Sequence, residues 1–318
     1  MKLKTIGNST IKTPKIMFGG NVFGWTLDEK ESFRMLDMLL ERGFTFIDTA
    51  DSYGKETGLS EKIIGKWMKD RKVRQEITLA TKAGNVHTKQ ADGSIKRSRD
   101  NSPAYLEKCI NNSLNRLQTD YVDLFYTHFD DEITPVKDVL ETFQKFIKAG
   151  KTRIIGASNF STSRLKEALT LAENSDLPKY EIFQTEYNLM ERKEFESGLA
   201  NLCKEHQVST ATYFSLASGF LTGKYRNKED FKGTSRQMLT EKYFNDQGKE
   251  VLKTLDQIAE NHQVSNAGVA LAWILNRPNV TTCIASATKE NHLDAFEEAL
   301  KLQLSTEEMN LLNKVSQF

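Results

Sequence analysis

The chain has almost no net charge, little cysteine and no long apolar run. Its 44 basic and 43 acidic residues leave a formal charge of +1 over 318 residues. That gives no electrostatic case for nucleic acid or a membrane surface as a partner. No run approaches transmembrane length, and the opening Met1-Lys-Leu-Lys-Thr lacks the apolar core of a signal peptide. The three cysteines, Cys109, Cys203 and Cys283, are odd in number and far apart. They make neither a disulfide framework nor a metal motif. No two histidines sit at ligand spacing, so no metal is expected, and there is no G-x-S-x-G nucleophile elbow. These absences predict a cytoplasmic globular protein that acts on a small molecule.

What the sequence does contain is an alternation of strand and helix patterns. Residues 2–13 read as two short strands around a Gly7-Asn8 turn, a hairpin suited to plugging one end of a barrel. A first core strand from Lys15 opens into a glycine-rich loop, and Thr26 with Glu29 reads as a capping box for a helix stopped by Gly43. Apolar runs at 44–47, 76–82, 121–128, 152–159, 181–185, 209–214 and 281–285 supply seven more strands, with helical patterns between them. Residues 85–100 read as a polar loop, and Ser102-Pro103 suits the N-cap and first position of a helix. Residues 217–246 form a long polar insertion, and a capping box at Ser305 and Glu308 starts a tail helix. Eight strand–helix units predict an eight-stranded parallel (β/α)8 TIM barrel, an α/β fold, as one domain over 1–318.

Polar residues recur where such strands end, which is where the active site of this architecture is built. Asp48, Lys82 and His128 close three successive strands, Tyr53 follows the first of them, and Ser158-Asn159 and Gln184 follow on the next two. The set suits proton delivery. A free phenol has a pKa near ~10, too high to protonate a developing alkoxide efficiently at neutral pH. A neighbouring ammonium lowers it, and a carboxylate beyond holds that ammonium in place. An imidazole then orients the carbonyl.

These residues resemble the aldo-keto reductases over essentially the whole chain. Phe46-Ile-Asp-Thr-Ala-Asp-Ser-Tyr-Gly54 is similar to the family's Asp/Tyr motif, Ala80-Thr-Lys-Ala-Gly84 to its lysine strand and Asp120-Tyr-Val-Asp-Leu-Phe-Tyr-Thr-His128 to its histidine strand. The resemblance implies carbonyl reduction by a reduced nicotinamide, usually NADPH, bound extended without a Rossmann fold. It makes Tyr53 the general acid, Lys82 and Asp48 its tuners, and His128 the residue that orients the carbonyl. Ser158, Asn159 and Gln184, within a stretch similar to the family's carboxamide site, would hold the carboxamide, and Tyr213 would stack on the nicotinamide. Gly20, Asn21, Val22, Asp48, Ser215, Leu216, Ala217, Lys224, Arg236, Ser286, Thr288, Lys289 and His292 would complete the cofactor contacts. The insertion would fold over the cofactor.

The adenine end departs from the family pattern. Family members typically read Ile-Pro-Gly-Ala-Ser, then Gln or Arg, then Asn. Here Ile284-Ala-Ser-Ala-Thr288 is followed by Lys289, His292 and Phe296. Lys289 and His292 are expected on one face of the last barrel helix, where a 2′-phosphate would meet them, while the missing Arg and Asn leave NAD open beside NADP. The substrate pocket is expected to be walled by Val22, Phe23, Trp25, Tyr53, His128 and Phe129. Lys89, Arg97 and Arg99 leave an anionic or sugar-like substrate open. The resemblance extends to the β subunits of voltage-gated potassium channels, and so to an alternative role as a cofactor-binding partner subunit. Ser158-Asn159 matches the enzymes rather than those subunits.

Overall fold

The structure is a computed structural model that describes residues 3–90, 92–234 and 236–318, with the side chain of Lys89 outside the description. Its centre is a closed ring of parallel strands. In chain order these are β3 (Ile16–Gly19), β4 (Phe46–Asp48), β5 (Thr78–Ala83), β8 (Val122–Thr127), β9 (Thr152–Ser158), β10 (Ile182–Glu186), β11 (Ser209–Tyr213) and β12 (Thr282–Ala285). Each pairs with the next, and β12 pairs with β3, with Ile284 opposite Met17, to close the barrel.

Side-chain alternation along each strand divides the core in two. Met17, Phe46, Leu124, Tyr126, Ile154, Ile182, Ala211 and Ile284 point inward and fill the barrel. Their neighbours Phe18, Ile47, Leu79, Phe125, Ile155, Phe183 and Cys283 point outward beneath the helices. Strands buried on both faces must be apolar almost throughout, which explains the continuous runs in the sequence. The helices around the ring include α1 (Glu29–Glu41), α2 (Leu59–Arg71), α3 (Pro103–Leu117), α4 (Val136–Lys148) and α5 (Thr162–Glu173). They continue with α6 (Ala200–Glu205), the short α7 (Gln237–Thr240), α8 (Asp246–His262), α9 (Asn266–Leu275) and α10 (Asp294–Lys301), before the tail helix α11 (Thr306–Val315). All three cysteines are buried and free. Among the described residues no helix is long and apolar enough to cross a membrane.

Several boundaries differ from the sequence reading. The N-terminal pair β1 (Lys4–Thr5) and β2 (Lys12–Thr13) is joined by a wider loop than a two-residue turn at Gly7-Asn8. Ile6 and Ile11 both turn inward as the plug, tied by the Ile6 amide donating to the Ile11 carbonyl at 2.9 Å. Helix α1 is capped by Asp28, not Thr26: Asp28 accepts from the Glu31 amide, and the Glu31 carboxylate accepts from the Asp28 amide. The Thr26 and Leu27 amides are already taken by the Val22 carbonyl in a turn. The expected polar loop at 85–100 contains an antiparallel hairpin, β6 (Asn85–Lys89) and β7 (Ile95–Arg99). Gly84 lets the chain leave β5 into it at φ +118°, where a side chain would strike Asn101.

Candidate active site

The ends of the strands bring the polar residues together at one mouth. Lys82, fully buried, donates from Nζ to Asp48 Oδ2 at 2.6 Å, to the Thr49 carbonyl at 2.8 Å and to the Tyr53 hydroxyl at 3.3 Å. Gln184 Nε2 donates to the other Asp48 oxygen at 3.0 Å. The carboxylate is thereby bonded on both oxygens, which a buried charge requires. The Tyr53 and His128 rings meet edge to face with centroids 5.9 Å apart.

The electrostatics of this cluster are a contest between burial and pairing. Burial works to lower the Lys82 pKa, but Asp48 and then Tyr53 overcome it, and the net direction is upward. Lys82 therefore stays charged. Burial pushes Asp48 above the usual carboxylate range, against the pull of Lys82 and Gln184. For Tyr53 the sequence suggested a pKa lowered by the ammonium. The structure gives the opposite net direction: burial raises it, Lys82 only partly offsets that, and Asp48 adds to the rise. The phenol thus holds its proton at neutral pH. His128 is driven well below the ordinary histidine value, first by burial and then by Lys82 and His87, so its ring is neutral.

From this corner a cleft of about 1440 Å³ runs across the mouth of the barrel. Ser158, Asn159, Gln184 and Tyr213 line it next to the Tyr53 corner, with the Tyr213 hydroxyl donating to Asn159 Oδ1 at 2.7 Å. Asn159 Nδ2 donates to the His128 carbonyl at 3.0 Å, which ties the two groups together. Farther along lie Asn21, Ser215, Leu216, Ser286 and Thr288, and the far end holds Lys224, Arg236, Lys289 and His292. Gly19 floors the near wall, where a Cβ would sit 2.6 Å from Ser286 Oγ. Of the described residues lining the cleft only Asp48 and Glu31 are acids.

The residues present fit an extended dinucleotide. The cleft is long, polar at the Tyr53 end and cationic at the other. Its wall turns through three consecutive left-handed residues, Ala217 (φ 48°), Ser218 (φ 57°) and Gly219 (φ 102°). Strained backbone of this kind clusters where a ligand is clamped. Burial lowers the Arg236 pKa, and His292 is lowered by partial burial and then by Lys224, Lys289 and Arg236. Lys224, Lys289 and Arg236 thus stand within electrostatic range of His292, a setting that suits an anion.

Not every expected residue reaches the cleft. Val22 and Phe23 are fully buried in the outer core, and Ala217 is likewise buried behind Leu216 and Ser218. Gly20 packs beneath the floor against the Asp48 carbonyl. Trp25 is half-buried under the guanidinium of Arg236, 5.4 Å from its ring centroid, so it supports the insertion instead of walling the pocket. Phe129 does line the pocket, stacked on His128 at 4.8 Å. Lys289 is extended (φ −141°), ahead of a 3-10 turn over Glu290–His292, and α10 begins only at Asp294. The expected single helical face for Lys289 and His292 does not exist, although both side chains line the cleft.

Sequence reasoning missed Asn85, whose Nδ2 lies 3.0 Å from His128 Nδ1, and the neighbouring cleft residues His87 and Ser52. The signal available was Asp92-Gly93, a hairpin-type turn pair between the two short segments.

A model of the Aldo/keto reductase family matches residues 15–317. The aldo-keto reductase YhdN of Bacillus subtilis is 32% identical, with 99% of this chain and 93% of that protein covered. A fission yeast protein (Schizosaccharomyces pombe) described as aldo-keto reductase yakc [NADP(+)] is 30% identical over 95% of this chain and 87% of its own length. A probable voltage-gated potassium channel subunit beta of rice (Oryza sativa subsp. japonica) is 32% identical over 94% and 91%.

Proposed function

Because the chain belongs to the aldo/keto reductase family, and is thus an NAD(P)-dependent oxidoreductase, we propose that it reduces an aldehyde or ketone to the alcohol, reversibly, with NADPH and with Tyr53 as proton donor. The observation that carries this reading is the Asp48–Lys82–Tyr53 chain, buried behind and opening beside His128 onto the cleft. Ser158, Asn159 and Gln184 would hold the carboxamide, Tyr213 the nicotinamide face, and Asn21, Ser215, Leu216, Ser286 and Thr288 the middle of the cofactor. When bound, the reduced nicotinamide supplies the hydride.

The chain's own groups do the rest. The Tyr53 hydroxyl and the neutral His128 ring point two donors at the carbonyl oxygen. As charge builds there, the phenol proton moves to it, and Lys82 stabilises the phenolate left behind. Asp48 keeps that ammonium charged and aimed. The buried setting strengthens each of these interactions. Lys224, Arg236 and Lys289, beside His292 and with no acid next to them among the described cleft residues, favour NADPH over NADH because a 2′-phosphate would meet positive charge there.

The likeness to a potassium channel β subunit supports a second reading, a cofactor-binding partner subunit. The three buried free thiols suit a cytoplasmic setting under either reading. Following NADPH consumption against a panel of aldehydes, with wild type and Tyr53→Phe side by side, tests the proposal. No turnover of any carbonyl by wild type would overturn it.

A further inference from the structure

The hairpin of β6 and β7 rises from the end of β5, the strand that carries Lys82. Its register sets Asn85 opposite Arg99 and His87 opposite Arg97. Paired residues, and residues two apart, share one face of an antiparallel ribbon. Asn85, His87, Arg97 and Arg99 therefore stand on one face, and all four line the cleft. Arg99 is already placed: its guanidinium lies 4.8 Å from the Phe129 ring centroid and donates to the Asp130 carbonyl at 3.1 Å, and Phe129 stacks on His128. Among the described residues no carboxylate pairs with Arg97 or Arg99, and Arg97 makes no side-chain hydrogen bond. Glu31, the other acid besides Asp48 among the described cleft residues, has its carboxylate engaged by the Asp28 amide.

These cations do not belong to the cofactor end. In the ring order β5 stands diametrically opposite β11, and the groups that suit the cofactor phosphates follow β11 and β12. Asn85, on the same hairpin face, touches His128. The two arginines thus look onto the place where the reacting carbonyl sits, from the side away from the cofactor.

We propose that this hairpin face binds an anionic group, phosphate or carboxylate, carried by the carbonyl substrate. The proposal rests on the reading of the site as a carbonyl reductase and names its substrate class. Guanidinium groups recognise both anions through paired hydrogen bonds, and the Phe129 stack holds Arg99 in place beforehand.

The test is the ratio of kcat/KM for a charged aldehyde to that for an uncharged counterpart. Glyceraldehyde phosphate with glyceraldehyde reads phosphate, and succinate semialdehyde with butanal reads carboxylate. Wild type is expected to prefer the charged member of at least one pair, and added salt should erode that preference. In the Arg97→Gln/Arg99→Gln double variant the ratio should fall about tenfold or more, as for lost charge-assisted hydrogen bonds. Melting temperature and cofactor titration check that the variant is folded. If Arg99→Gln disturbs the loop through Asp130, Arg97→Gln alone carries the test. Reduction of the uncharged aldehydes with no preference for either anion, or a ratio that the variants leave unmoved, overturns the anion face alone. Failure to reduce any of the four overturns the reductase reading itself, and this proposal with it.

Discussion

Asn85 Nδ2 lies 3.0 Å from Nδ1 of His128. An amide nitrogen can only donate, so Nδ1 must accept, and the proton of the neutral imidazole is left on Nε2. The ring then offers an N–H to a carbonyl oxygen. Asn85→Asp reverses the bond, drawing the proton to Nδ1 and favouring the imidazolium. The expected outcome is a His128 pKa raised from its depressed value, seen by NMR titration, together with a shifted pH profile for reduction. An unmoved His128 titration would show that Asn85 only packs there.

Tyr53→Phe should abolish carbonyl reduction while leaving cofactor affinity nearly intact, because the ring survives and the proton does not. Loss of a positioned general acid costs about 10²–10⁴ in rate. Single-turnover rates beside a fluorescence titration of cofactor separate the two effects.

Lys82→Met keeps the stem of the side chain and removes the ammonium. Burial already raises the Tyr53 pKa, and Lys82 is the group that pulls it back, so the variant's phenol should titrate higher still. Alcohol oxidation needs the phenolate, and its rate rises as pH passes the phenol pKa. The basic limb of the oxidation profile should therefore move to higher pH, with reduction also much slower. An unchanged profile would assign Lys82 a purely structural role.

The eightfold alternation and the strand-end polar residues were legible because both follow from local pattern. A strand buried on two faces must be apolar, and Asp48, Lys82 and His128 break that rule at the ends of their strands while still buried. What was not legible depends on contacts distant in sequence. The direction of the Tyr53 shift depends on how deeply the barrel mouth buries the phenol, and a list of neighbours does not contain that. The depth of Val22 and Phe23 is fixed by packing against α2 and Phe18. The place of Trp25 is fixed by Arg236, more than 200 residues away. The hairpin at 85–99 was readable but was masked by its polarity, since neither of its faces enters the core.

Asp51 carries a stability prediction of its own. Its carboxyl is buried, Oδ1 has no hydrogen-bond partner, and burial followed by the nearby Glu61 pushes its pKa up to about 8. In the unfolded chain it titrates near ~4. Between those values the folded protein holds a proton that the unfolded chain has released, so stability falls as pH rises from ~4 to about 8 and flattens above. Asp51→Asn should remove this slope. Denaturant melts of both proteins across that range provide the check, and parallel curves would contradict the assignment.

The cationic end of the cleft sets the last prediction. A 2′-phosphate is doubly charged and demands positive partners. Partial burial and the charges of Lys224, Lys289 and Arg236 hold His292 below the ordinary histidine value. The Thr288 amide donates to its Nδ1 at 3.3 Å, which also favours the neutral ring. His292 therefore gains charge only in acid, and any help it gives NADPH is lost as pH rises through a pKa that lies under ~6.5. At pH ~8 the ring is neutral and Lys289, exposed at the cleft rim, carries the charge. Lys289→Ala should then cost roughly 1–3 kcal/mol of NADPH affinity, the range for a hydrogen bond to a charged group, and His292→Ala should cost less. NADH, which lacks the phosphate, should be indifferent to the loss of Lys289. Titrating both cofactors into the two variants by tryptophan fluorescence measures all four affinities. Equal losses for NADPH and NADH would place the 2′-phosphate elsewhere.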